Sequence, residues 1–202
     1  MALKSVKFTG KFSGGGFEVP VTYIIKRKDM VRMDITFQGN AQITAFDGTT
    51  AWQINPWTGK KDAEKLPKES EKELKKQADI EGALVNYKDK GYKAELLGKE
   101  DMEGTEVFKI KLTDKDGDIT NYYLDTQSYL ILKESAKRKI KEKEINSETL
   151  YGNYQTFEGI TFPMSMEIKE AGSDQTQKGV LDKVEMNVEV EDSYFKMPET
   201  GK

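Results

Sequence analysis

The chain has 202 residues, 36% apolar and 33% charged, a balance that suits a single β-rich domain with one wet sheet face better than a sheet buried on both sides. Its 32 basic and 35 acidic residues are interspersed and leave a net charge of −3, so no field is available to hold a polyanion and nucleic acid is excluded as an expected partner. With no histidine and no cysteine it lacks thiol nucleophiles, the thiolate and imidazole metal ligands and the usual general base near neutral pH, so neither catalysis nor a bound metal or cofactor is expected.

The first predicted strand alternates Val6, Phe8, Gly10 and Phe12 with Lys7, Thr9 and Lys11, and ends at Gly14-Gly15-Gly16. The second sets Val19, Val21, Tyr23 and Ile25 on one face, and counting on by two places Arg27 there as well. After a Lys28-Asp29 turn, Val31, Met33, Ile35 and Phe37 alternate with Arg32, Asp34 and Thr36. A fourth strand runs to Phe46 and turns at Asp47-Gly48, and a fifth carries Trp52 and Ile54, whose shared phase favours the inner face, before Asn55-Pro56-Trp57 stops it.

Residues 66–90 then interrupt the strands with a predicted helical insertion. An antiparallel meander needs no helix to join neighbours, so the insertion is expected to cover a site. Lys68 to Gln77 is almost wholly charged, with Leu74 and Ala78 as its apolar grips. From Asp79, a plausible N-cap, Ile80, Ala83, Leu84 and Tyr87 fall on one helical stripe that Gly91 ends.

The remainder reads as a meander with turns at Glu103-Gly104, Asp116-Gly117 and Glu158-Gly159, and with Phe162, Met164 and Met166 sharing one face. Asp114 to Asp118 lacks the glycine position and distal glutamate of a calcium loop and reads as a hairpin. About eleven strands result, too many for a flat open sheet, so curling is expected. No apolar run approaches the ~20 residues needed to span a bilayer, and no signal peptide is expected in the opening Met1-Ala2-Leu3-Lys4.

Ile25-Lys26-Arg27, Met33, Asp47-Gly48-Thr49-Thr50-Ala51-Trp52 and Asn55-Pro56, in that order and spacing, resemble the first half of the bacterial lipoprotein carrier family typified by LolA. Tyr154 to Pro163 and the terminal Phe195-Lys196-Met197-Pro198 are similar to motifs of outer-membrane lipoprotein-sorting proteins more broadly. The resemblance implies a mainly β fold, a strongly curved antiparallel half-barrel closed by a helical lid over an apolar cavity for acyl chains of lipids or lipoproteins. It also implies a periplasmic or otherwise extracytoplasmic location and a membrane-bound release or acceptor complex as partner. Arg27 occupies the position of the arginine that latches the family's lid, although Lys28 stands where the family has proline.

The residues themselves leave two readings of the inner face, a core filled by its own side chains or a ligand cavity. The cavity reading assigns Met33, Ile35, Phe37, Trp52, Ile54, Ile80, Leu84, Tyr87, Phe162, Met164 and Met166 to ligand binding. Arg27 is either a lid latch held by carbonyls or a carboxylate, or a rim charge. The function expected is a non-catalytic carrier; the alternative is an envelope sensor or scaffold domain that uses the same fold for protein contact.

Overall fold

The computed structural model describes residues 3–59, 62–140, 143–173 and 175–199, so the expectation for Met1 and Ala2 lies outside the described residues. Thirteen strands are present among them: β1 Ser5–Gly14, β2 Phe17–Lys26, β3 Met30–Phe37, β4 Asn40–Asp47, β5 Ala51–Ile54, β6 Glu64–Lys65, β7 Lys93–Met102, β8 Thr105–Thr113, β9 Ile119–Asp125, β10 Ile131–Ile140, β11 Lys143–Phe157, β12 Ile160–Glu170 and β13 Thr176–Met186. They are hydrogen-bonded in the order β6-β5-β4-β3-β2-β1-β13-β12-β11-β10-β9-β8-β7. Sequence neighbours pair antiparallel from β2 to β6 and from β7 to β13.

This order corrects the expectation of a strongly curved half-barrel. The sheet is open, and its two ends, β6 and β7, do not pair. Both edges carry devices that stop further pairing. β6 is two residues long, and β7 has a register shift between Leu96 and Gly98 and a run of charges at Lys99, Glu100 and Asp101.

The insertion is also less helical than expected. One α-helix, α1 Lys68–Gln77, is present among the described residues, and 83–91 is a succession of turns. Gly82 at φ 79° and Asn86 at φ 51° lie in the left-handed region, which interrupts the backbone that the Ile80–Tyr87 stripe needed. Asp79 caps a tight turn instead of a helix, its carboxylate accepting from the Glu81 N–H at 3.2 Å.

The chain divides into two compact units. The first comprises Met1–Phe12, Glu18–Gly82 and Leu181–Lys202, and the second Ser13–Phe17 and Ala83–Val180. In the first unit both sheet faces are covered. Leu74 of α1 and Ala78, its C-cap, pack with Val31, Phe46 and Ala51 on one face, while the other holds Ile24 and Met30 against Phe195 of the C-terminal segment. A sheet covered on both sides has no need to wrap around one core, which is the physical reason the half-barrel expectation fails within this unit.

Candidate functional site

Register fixes which side chains share the helix-bearing face of the first unit. Tyr23 lies opposite Met33, Ile25 opposite Val31, Val31 opposite Phe46 and Phe46 opposite Ala51. Met33, Ile35 and Phe37 continue that row along β3. Val31 is buried under α1, whereas Met33, Ile35 and Phe37 are only partly buried. The row ends where Phe37 meets Trp57 edge-on at 6.3 Å, and Trp57 is 46% exposed.

Tyr23 of β2 and Arg27, the residue just after that strand, tie α1 and its following turn to this face. The Tyr23 hydroxyl donates to the Gln77 carbonyl at 3.4 Å, satisfying one orphan acceptor at the helix end. Burial raises the Tyr23 phenol well above its ordinary pKa, so the hydroxyl keeps its proton. Arg27 donates from Nη2 to Glu81 Oε1 at 2.8 Å and from Nε to the Leu3 carbonyl at 2.6 Å. Ile80 sits partly buried in the same turn, next to Glu81.

The structure does not place Trp52 and Ile54 with Met33, Ile35 and Phe37. Trp52 pairs with Ala45, and Ala45 with Arg32, so both belong to the opposite face, where they pack with Ala63, Ile43 and Met197. A pocket of about 660 Å3 opens there between the sheet and the C-terminal segment. Its floor is organised by Arg32, whose Nε donates to Asp34 Oδ1 at 2.8 Å and whose Nη1 donates to the Tyr194 carbonyl at 2.7 Å. The guanidinium stacks on the Tyr194 ring at 3.9 Å, and the Tyr194 hydroxyl donates to Asp34 Oδ2 at 2.9 Å. Trp52 Nε1 donates to the Phe195 carbonyl at 2.8 Å. Sequence reasoning missed Arg32, Asp34 and Tyr194; the signal available was a charged pair two apart on the non-helical face of the cleanest strand.

In the second unit Leu84 and Tyr87 lie partly buried in the 83–91 turns rather than on a helix. Met164 is 3% exposed on β12, with Phe162 and Met166 partly buried to either side on the same face, and the Phe157 and Phe162 rings 6.4 Å apart. Met166 lies opposite Tyr151 of β11. The neighbouring strand β10 adds Glu134, opposite Tyr122.

Burial raises the Glu134 carboxyl above its ordinary 4.5, outweighing the Tyr151 hydrogen bond and the Arg138 charge that pull it down. Between the ordinary and the raised value the folded chain holds a proton that the unfolded chain has lost, so stability falls as pH rises through that window. Glu134→Gln, which has no charge to expose, is expected to melt at the same temperature on both sides of the window and above the parent at its upper side. Thermal melts across the window check this, and a parent curve parallel to that of the variant contradicts it.

No family model matches the sequence, and no curated protein matches it either. Among solved structures the fold is similar to that of an outer membrane lipoprotein-sorting protein domain from Vibrio parahaemolyticus, at TM-score 0.64 and 14% identity over 95% of this chain and 89% of that one. It is similar also to a LolA superfamily protein from Nitrosomonas europaea, at TM-score 0.65 and 13% identity over 95% and 89% of the two chains. A protein of the DUF1329 family from Desulfovibrio piger matches at TM-score 0.59 and 13% identity over 96% and 90%. The chain thus shares its fold with lipoprotein-sorting proteins of the LolA superfamily.

Proposed function

We propose that this protein is a non-catalytic, extracytoplasmic binding protein that holds lipid acyl chains, those of lipoproteins, between the sheet of its first unit and α1 with the turn that follows. One observation carries the reading: α1 buries only Leu74 within its span, while the apolar row beneath it runs on through Met33, Ile35 and Phe37 to the exposed Trp57. Hydrocarbon laid along that row gains about 25 cal/mol per Å2 of apolar surface removed from water, without directional contacts. The fold shared with lipoprotein-sorting proteins supports the same ligand class and the same location.

Arg27 acts here as the latch. Its ion pair with Glu81 is exposed and contributes only about 0–1 kcal/mol to stability, a strength suited to a contact that opens and recloses. A membrane-bound donor or acceptor complex fits this role as partner. Exposed Leu96 and Leu97 on β7 favour a second reading, contact with another protein through these apolar side chains.

The test is organic extraction of the purified protein followed by mass spectrometry, together with uptake of a diacylated lipopeptide by the delipidated protein. Co-purified acyl lipid and saturable uptake are expected, with faster release from Arg27→Ala at nearly unchanged stability. An extract without lipid from a protein that takes up no lipopeptide overturns the reading and leaves protein contact as the alternative.

A further inference from the structure

The pocket beneath the C-terminal segment lies on the sheet face opposite α1, so it is separate from the acyl-chain site proposed above. Its wall is made by Ile43, Trp52, Ile54, Val190, Met197 and Pro198. At about 660 Å3 it falls within the ~300–1,000 Å3 range of small-ligand sites.

The polar groups at its floor are already committed to one another. Arg32 is held by Asp34 and the Tyr194 carbonyl, Tyr194 donates to Asp34, and the Trp52 indole donates to the Phe195 carbonyl. Glu191, Ser193 and Lys196 are exposed and form the rim. A peptide entering this space would bring backbone N–H and C=O groups that find few partners, each costing the desolvation of an unmet hydrogen bond. A carboxylate would have to compete with Asp34 for Arg32 at 2.8 Å. A neutral hydrocarbon chain meets neither obstacle.

The walls are also built in advance. Lys26 Nζ donates to the Val190 carbonyl at 2.6 Å and pairs with Asp192 at 2.5 Å, and the Ser5 hydroxyl donates to the Val188 carbonyl at 2.8 Å. These contacts, with the fully buried Phe195, hold the segment that lines one side of the pocket, so little ordering cost remains for a ligand to meet. Met197 and the branched aliphatic side chains can adjust to a flexible chain.

We propose that this pocket is a second binding site, for one neutral hydrocarbon chain such as the tail of a fatty alcohol or of a neutral lipid. It does not depend on the acyl-chain site of the other face, and the two tryptophans, the only ones in the sequence, report on the two faces separately. Trp52 lines this pocket and Trp57 ends the apolar row on the other side.

The experiment titrates a bromine-terminated dodecanol, a short-range quencher, into Trp57→Phe, in which Trp52 is the sole tryptophan. Saturable quenching of Trp52, reversed by unlabelled dodecanol and weakened roughly tenfold when Met197→Lys is added at the mouth, is the expected result. The substituted positions are exposed or only partly buried, and a far-UV spectrum confirms that each variant is folded. Absence of quenching in Trp57→Phe overturns the proposal, as does quenching that Met197→Lys leaves unchanged. Quenching of wild type confined to the Trp57 share of its emission overturns it too, while supporting the acyl-chain site on the other face.

Discussion

Phe195→Ala will destabilise the protein by about 3–5 kcal/mol, the range for removing a fully buried aromatic ring. Phe195 is 0% exposed. It packs against Ile24 of β2 and Met30 of β3 and meets the Tyr194 ring edge-on at 5.8 Å. Its loss leaves a cavity on the face of the sheet that α1 does not reach, and the relaxed segment no longer presents its carbonyl to the Trp52 indole. Urea unfolding should show the midpoint falling with the slope unchanged. A loss below about 1 kcal/mol would mean that the C-terminal segment is a surface strap and no part of the core.

Much of this fold was legible from alternation and turn chemistry. The row Val31, Met33, Ile35, Phe37 occupies one face of β3, and Glu103-Gly104 and Glu158-Gly159 form turns with both residues of each pair at positive φ. α1 spans Lys68–Gln77. The stripe from Ile80 to Tyr87 misled because hydrophobic spacing reports only where side chains would fall if the backbone were helical. Gly82 and Asn86 reverse the sign of φ on either side of Ala83, Leu84 and Val85, and the three residues between such positions cannot hold a stable helix.

The face of Trp52 was legible and needed one more step of counting. Phe37 pairs with Asn40 across Gln38-Gly39, and Phe46 with Ala51 across the Asp47-Gly48 turn. Each connection has an even number of residues, so odd positions on β3 meet even positions on β4 and odd positions on β5. Met33 and Trp52 therefore face opposite ways, and the sequence phase of Trp52 with Ile54 alone could not reveal it. The Arg32–Asp34–Tyr194 cluster lay beyond any such count, because it joins β3 to a segment 160 residues later through tertiary contact. The number of strands, likewise, could not show that a second layer would cover the outer face and remove the need for curling.

Leu74→Asp tests how α1 is held, and its expected effect is the loss of the docked helix while the sheet survives. Leu74 is α1's one buried side chain, 7% exposed, among Val31, Phe46 and Ala51. Removing its apolar atoms costs about 2–5 kcal/mol as in other buried leucine truncations, and a carboxylate without a partner adds to that. Little else opposes undocking: Ala78 contributes a methyl group, the Tyr23 bond to Gln77 is long at 3.4 Å, and the Arg27–Glu81 pair is exposed. An undocked helix of ten residues falls below the ~12–15 that hold marginally in water, and pairs such as Glu73–Lys76 at 3.3 Å supply only a few tenths of a kcal/mol. Far-UV circular dichroism should lose its helical component and keep its β signal, while amide exchange in the β3–β5 ladder quickens on the face where Val31 and Phe46 are uncovered. Since the same helix is proposed to close over the acyl chain, lipopeptide uptake by this variant should become fast and weak. A variant that keeps its helix, or that binds lipopeptide as the parent does, would show that the apolar row beyond Val31 takes its cover from somewhere other than α1.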